Sequence, residues 1–125
     1  MEAQHCIVGA GPAGLAAARA FRALGLSVDV FERHTAIGGI WDQRNPGSPM
    51  YDSAHFISSR TQSGYHGFPM PDSYPDYPNH RQILAYVRAF AEAYGLTDCV
   101  HLGVGVAEAY QTGTVAAGDG LWHVT

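Results

Sequence analysis

The spacing of apolar and polar positions predicts seven elements. His5–Val8 ends in Cys6, Ile7 and Val8 and predicts a short buried strand. From Pro12 to Leu24 the chain is Ala-rich, with Leu15, Ala18 and Phe21 at helical spacing and Gly25 suited to the position past the helix end. Ser27–Phe31 alternates and is partly β-branched, which predicts a second strand. Ile83, Leu84, Val87, Phe90, Ala91 and Tyr94 recur at a 3.6-residue period. That helix opens with Asn79 and Gln82, spaced as a capping box, and closes at Gly95. Val100, Leu102, Val104 and Val106 alternate as a third strand. Ala107–Tyr110 and Leu121–Val124 predict a hairpin about a glycine-rich turn. The opening strand–helix–strand is a βαβ-type unit, so its sheet is expected to be parallel.

Between these elements, residues 45–78 hold six of the seven prolines and show neither period. Such a stretch forms no long helix or central strand. Its aromatic residues (Tyr51, Phe56, Tyr65, Phe68, Tyr74 and Tyr77) call for burial, so it predicts an ordered excursion that covers a ligand or a sheet edge.

The candidate chemistry lies at the first strand-to-helix turn. Gly9, Gly11 and Gly14 form G-x-G-x-x-G between a predicted strand and helix, the context in which the pattern binds a dinucleotide. Gly9 suits the tight turn, Gly11 lets a pyrophosphate lie against the backbone, and Gly14 allows close helix packing. Pro12 fits the first helical turn, where no N–H partner is needed. The helix N-terminus offers free N–H groups to phosphates. Glu32 follows the second strand, 18 residues after Gly14, near the separation of a ribose-binding carboxylate. A carboxylate there repels a 2′-phosphate, which leaves FAD or NAD as the ligand. Gly38-Gly39 permits close backbone approach, and Trp41 can pack on a flat ligand or on the core.

Composition narrows the class. The 125 residues are 46% hydrophobic and 14% charged, which marks a globular chain. The net charge of −4, with all seven basic residues Arg, argues against nucleic acid or an anionic membrane as partner. Cys6 and Cys99 have no metal-ligand spacing; both are expected to be reduced, with Cys6 buried. No signal peptide or membrane-spanning run is evident, so a cytoplasmic location is expected. His5, His34, His55, His66, His80, His101 and His123 show no ligand spacing and read as surface or loop residues.

Taken together, GAGPAGL (Gly9–Leu15), Glu32-Arg33, GGIW (Gly38–Trp41) and the run FPMPDSYPDYPNHRQ (Phe68–Gln82) with its helix resemble the flavin-containing monooxygenases, single-component FAD and NADPH enzymes. The resemblance implies a Rossmann-like FAD-binding ββα three-layer α/β fold. The fold would be incomplete here, with the start of an antiparallel β layer near the C-terminus. Residues 1–125 would then be the N-terminal portion of an FAD-binding domain, and the NADPH-binding domain would lie outside them. By resemblance, Gly9, Gly11, Pro12, Ala13 and Gly14 hold the FAD pyrophosphate and Glu32 the ribose. Arg33 flanks the adenine, Gly39, Ile40 and Trp41 line the FAD, and Val106 meets the adenine through its backbone. Ile57-Ser58 falls where many members carry Asn-Ser beside the flavin. The Asn is Ile57 here, and Ser58, Ser59, Arg60 and Thr61 are the candidates to replace its polar contact. In the family NADPH reduces FAD, O₂ adds at the flavin C4a, and the hydroperoxide oxygenates a nucleophilic N or S, or a ketone, of a small-molecule substrate. The chain alone is expected to be inactive and either to self-associate or to require the remaining C-terminal portion. The alternatives are a truncated or non-catalytic dinucleotide-binding module and an amine-oxidase-like FAD enzyme.

Overall fold

The computed structural model describes residues 5–125. The strand β1 (His5–Val8), helix α1 (Pro12–Ala23) and strand β2 (Val28–Glu32) open the chain. The excursion leads to α2 (His80–Ala93), and β3 (Val100–Leu102) closes a parallel sheet of order β1-β2-β3. The strands β4 (Ala109–Thr112) and β5 (Leu121–Val124) form a separate antiparallel hairpin. This is the incomplete α/β arrangement expected from the sequence.

The helices begin and end where local chemistry permits. Pro12 occupies the first turn of α1. At the far end the chain turns at Gly25, whose φ of 73° is open to glycine at little cost. Asn79 caps α2 in the predicted box: its side chain accepts from the Gln82 N–H, and the Gln82 side chain accepts from the Asn79 N–H. Tyr86, outside the predicted stripe, is also buried, because its hydroxyl finds partners in the excursion.

One face of the sheet is packed and the other is open. Val28 and Val30 join Leu15 and Ala18 of α1 and Ile83, Val87, Phe90 and Ala91 of α2 in the core, with Ile7 and Val100 against it. Register places Cys6 opposite Asp29, and Val8 opposite Phe31, on the other face. There Cys6 is exposed and Val8 is 63% exposed. Cys6 is therefore not the buried core residue expected. The open face arises because parallel sheets need cover on both sides, and α1 and α2 supply only one layer. Partial burial, then the Asp29 carboxylate, push the Cys6 thiol up, and burial does the same to Cys99. Neither forms a thiolate readily at neutral pH.

Three further expectations are corrected. The third strand stops at Leu102: the N–H groups of Gly103 and Val104 turn onto the carbonyls of His34 and Glu32, which carries the chain off the sheet. His80 is a buried residue in the first turn of α2, not a surface one, and its Nε2 has no hydrogen-bond partner. Tyr51 and Tyr77 lie exposed, whereas Phe56, Tyr65, Phe68 and Tyr74 pack against the core. Tyr65, Phe68 and Tyr74 succeed because α2 and its end offer them partners: Tyr65 stacks on Phe90 at 3.7 Å, Phe68 stands edge-on to both Phe90 and Tyr94, and the Tyr74 hydroxyl donates to the Gln82 carbonyl, while Phe56 meets Trp41 edge to face. The excursion itself is ordered without helix or strand across residues 45–78, as expected.

Among the described residues, no helix is long and apolar enough to cross a membrane.

Candidate nucleotide site

The three glycines hold one compact turn between β1 and α1. Gly9 has φ +98°, a region L side chains rarely adopt, and its N–H donates to the Phe31 carbonyl of β2. A Cβ on Gly14 would stand 1.9 Å from the Gly9 carbonyl oxygen, so no side chain fits there. Gly11 is different. Its φ of −81° is ordinary backbone, and a Cβ there would make only a 3.6 Å contact with the Gly39 Cα. Nothing in the protein itself demands glycine at position 11. Its nakedness serves something that approaches from outside, as a pyrophosphate does.

The first turn of α1 has the matching electrostatics. No side chain caps it and it carries no acidic residue. The Leu15 N–H, bonded to the Gly11 carbonyl at 3.0 Å, makes the first turn's closing bond. The earlier N–H groups and the positive end of the helix dipole suit an anion.

Glu32 is 4% exposed. Its Oε2 accepts from the Ala10 N–H at 2.8 Å, and its Oε1 accepts from the His34 N–H at 2.8 Å. One carboxylate therefore ties the glycine turn to the segment after β2. Each oxygen keeps a further lone pair, so ribose hydroxyls can still be accepted.

The cleft beside this turn has a volume of ≈ 360 Å³. It brings together the sequence-predicted Gly9, Gly11, Glu32, Arg33, Gly39, Ile40 and Val106. Val106 reaches it from the segment after β3, which crosses back by way of the Glu32 and His34 carbonyls. The other predicted residues lie elsewhere. Ala13 and Gly14 sit beneath, in the first turn of α1. Pro12 and Trp41 line a second cavity, and Ser58 is held by the Ser63 hydroxyl. Ile57 is 96% exposed.

The sequence pattern does not reveal one wall. Asn45, Pro46, Gly47 and Ser48 also line the cleft. The Asn45 side-chain N–H donates to the Gly39 carbonyl at 2.9 Å, and the Ser48 hydroxyl donates to the Ile40 carbonyl at 2.6 Å. The dipeptide signals in Asn-Pro-Gly-Ser mark a turn, and that turn folds back onto Gly-Gly-Ile-Trp. The Asp42 anchor is equally hidden in the sequence. Buried Asp42 receives Arg44 at 3.1 Å and Arg88 of α2 at 2.6 Å, and Arg88 also donates to the Ile37 carbonyl. The Arg44 hydrogen bond first, aided by Arg88, holds the Asp42 carboxyl down to about 2.

A cleft with a naked backbone wall, an uncapped helix N-terminus and a carboxylate at the end of β2 fits an adenosine diphosphate moiety. Among the described residues there is no group of acidic, His and Cys side chains able to hold a metal ion.

The comparisons with known proteins agree with this geometry. The model of the "Flavin-binding monooxygenase-like" family matches residues 2–125. Indole-3-pyruvate monooxygenase YUCCA1 of Oryza sativa subsp. japonica is 36% identical over 118 residues, covering 94% of this chain and 26% of that protein. Flavin-containing monooxygenase FMO GS-OX3 of Arabidopsis thaliana is 32% identical over 116 residues, covering 75% of this chain and 25% of the relative. The solved flavin-containing monooxygenase of Stenotrophomonas maltophilia superposes with a TM-score of 0.76 at 28% identity, over 89% of this chain and 31% of the other. The chain thus spans about a quarter of the length of these curated relatives. With its glycine turn, its cleft and this match over nearly its whole length, the chain belongs to the flavin-binding monooxygenase-like family.

Proposed function

We propose that these residues form the adenine-side half of an FAD site and serve, within a longer polypeptide, an NADPH- and O₂-dependent monooxygenase. The observation that carries this reading is Gly11, a glycine that the fold does not require, at the wall of a cleft. The pyrophosphate would lie against Gly11 and the N–H groups of Ala13 and Gly14, with Glu32 taking the ribose hydroxyls. Arg33 and the Val106 backbone would flank the adenine, and Gly39 and Ile40 would close the near side. Pro12 pre-sets the first turn, Ser58 stands near the expected flavin end, and Trp41 supports the turn from behind. When bound, FAD supplies the redox chemistry that activates O₂. The protein's part is to bind, to orient and to exclude water.

The buried Glu32 carboxylate disfavours a 2′-phosphate, so this cleft takes FAD rather than NADPH. NADPH belongs to a second site outside these residues, and the 125 residues alone then lack a hydride source. The substrate is a small nucleophilic N- or S-containing molecule or a ketone, the last in keeping with the indole-3-pyruvate in one relative's name. Cytoplasmic placement is supported by two cysteines that stand as free thiols.

The test is a fluorescence titration of FAD against the wild type and Gly11→Val. The variant should fold, because its Cβ fits at 3.6 Å, yet bind at least about 100-fold more weakly, since the branches fill the phosphate approach. Equal affinities would place the phosphate turn elsewhere.

A further inference from the structure

Arg88 lies off the apolar stripe of α2, where a charged residue ordinarily marks a solvated helix face. The structure gives it another place. Its Nε donates to the Ile37 carbonyl at 2.9 Å, and its Nη2 donates to Asp42 Oδ2 at 2.6 Å. One guanidinium therefore grips both ends of the 38–41 turn. The Asp42 side chain is only 3% exposed, which sets this pair apart from surface ion pairs of little consequence.

What the grip holds is a wall of the nucleotide cleft. The Gly38 N–H donates to the Ala10 carbonyl of the glycine turn at 3.1 Å. Gly39 packs so closely that a Cβ on it would stand 2.9 Å from the Gly11 Cα. Leu84, one turn before Arg88 on α2, sits against Gly38 where a Cβ would stand. The Asp42 carbonyl accepts from the Asn45 N–H at 3.0 Å, and the Asn45 side chain donates to the Gly39 carbonyl at 2.9 Å. Gly39, Ile40 and Asn45 line the cleft, whereas Arg88 and Asp42 do not. Arg88 reaches the cleft only through the turn that it holds.

We propose that Arg88 is a positioning residue for the cofactor: with Asp42 it fixes the Gly39–Ile40 wall at the separation from Gly11 that a bound pyrophosphate needs. This rests on the FAD reading of the cleft. The task calls for a guanidinium, whose planar fork presents donors to two acceptors at once. A lysine carries the same charge as a single point and cannot span the Ile37 carbonyl and the Asp42 carboxylate. Geometry, not charge, is what Arg88 supplies.

The test is Arg88→Lys in the full chain, with FAD affinity measured below the melting temperature of each variant. Affinity should fall about 5–30-fold, as for a residue that acts without touching the ligand. Arg81→Lys makes the same change on the same helix, at an exposed pair with Asp52, and should alter affinity by less than about twofold. Phe90→Ala weakens the core face of α2 and should cost less FAD affinity than Arg88→Lys; an equal loss would reduce Arg88 to a stabilising role and overturn the proposal. Asp42→Asn should also weaken FAD, and the double variant should lose no more than the weaker-binding single variant, because both break one clamp. Additive losses overturn the joint role. The amide resonances of Gly11, Gly38 and Gly39 are read without flavin: Arg88→Lys should move them and Arg81→Lys should not. Unmoved resonances overturn the clamp whether or not FAD binds, and moved resonances with unchanged FAD affinity overturn its service to the cofactor. Moved resonances in a chain whose wild type binds no FAD would uphold the clamp and overturn the FAD reading, so the two failures are distinct.

Discussion

The α/β unit of residues 5–102 and the hairpin of residues 109–124 both follow regular patterns of apolar positions, yet only the first buries them. In the α/β unit, Phe90 and Val30 are fully buried and every aromatic of the 63–68 stretch finds a ring or a carbonyl to meet. In the hairpin all eight strand residues are exposed, Trp122 at 67%. The hairpin rests on its ladder, the Thr112–His123 side-chain bond and the stacking of Tyr110 on His123. Alternation therefore specifies a strand without specifying what covers it. A two-stranded hairpin alone is marginal in water, so its apolar side chains call for a partner surface.

Mutations can sharpen this contrast. Phe90→Ala removes the ring at the centre of the aromatic cluster and should cost about 3–5 kcal/mol in urea unfolding. A cost below about 1 kcal/mol would mean that the α/β unit is no better packed than the hairpin. Glu32→Ala should lower stability by about 1.5–3 kcal/mol besides weakening FAD, because it strands the buried N–H of Ala10 and frees that of His34. From sequence, the carboxylate reads as a ligand contact. The two bonds at 2.8 Å show that it also holds the turn. Unchanged melting with lost FAD affinity would restore the simpler role.

Acid should act on the same unit through Asp42. Its carboxyl is held down from 3.8 to about 2 in the fold. The stabilisation is therefore complete above the ordinary carboxylate range and fades as pH falls from about 4 towards 2. After allowance for screening by solvent at exposed Arg44, the loss should be about 1–2 kcal/mol. Asp42→Asn should flatten that limb of the stability profile, and a limb of unchanged steepness would assign the acid response to other carboxylates. The smallest effect belongs to the hairpin: Trp122→Ala should change stability by less than about 0.5 kcal/mol in the isolated chain. A larger loss would show that the indole is covered in solution.

Short-range chemistry is legible in the amino-acid sequence by itself. The glycine turn, the Asn79–Gln82 box, the helix stripes and the hairpin each depend on residues within a few positions of one another, so spacing alone reveals them. The Glu32 position is legible for the same reason, through its place at a strand end. What spacing cannot show are the contacts made across tens of residues. Asn45 and Ser48 become a wall of the cleft only because a turn lays them on the Gly39 and Ile40 carbonyls. Arg88 meets Asp42 from 46 positions away. Tyr65 reaches Pro12 from 53 away. Cys6 and Val8 read as core from their apolar character, yet they lie open, because burial depends on whether a second layer stands against that face. Val104 and Val106 keep the alternation of a strand, but two backbone bonds to residues 34 and 32 draw the chain off the sheet and into the cleft. Backbone propensity and side-chain period are properties of neighbours in the chain. Cover, cavities and shared hydrogen bonds are properties of neighbours in space, and only the packed fold assigns those.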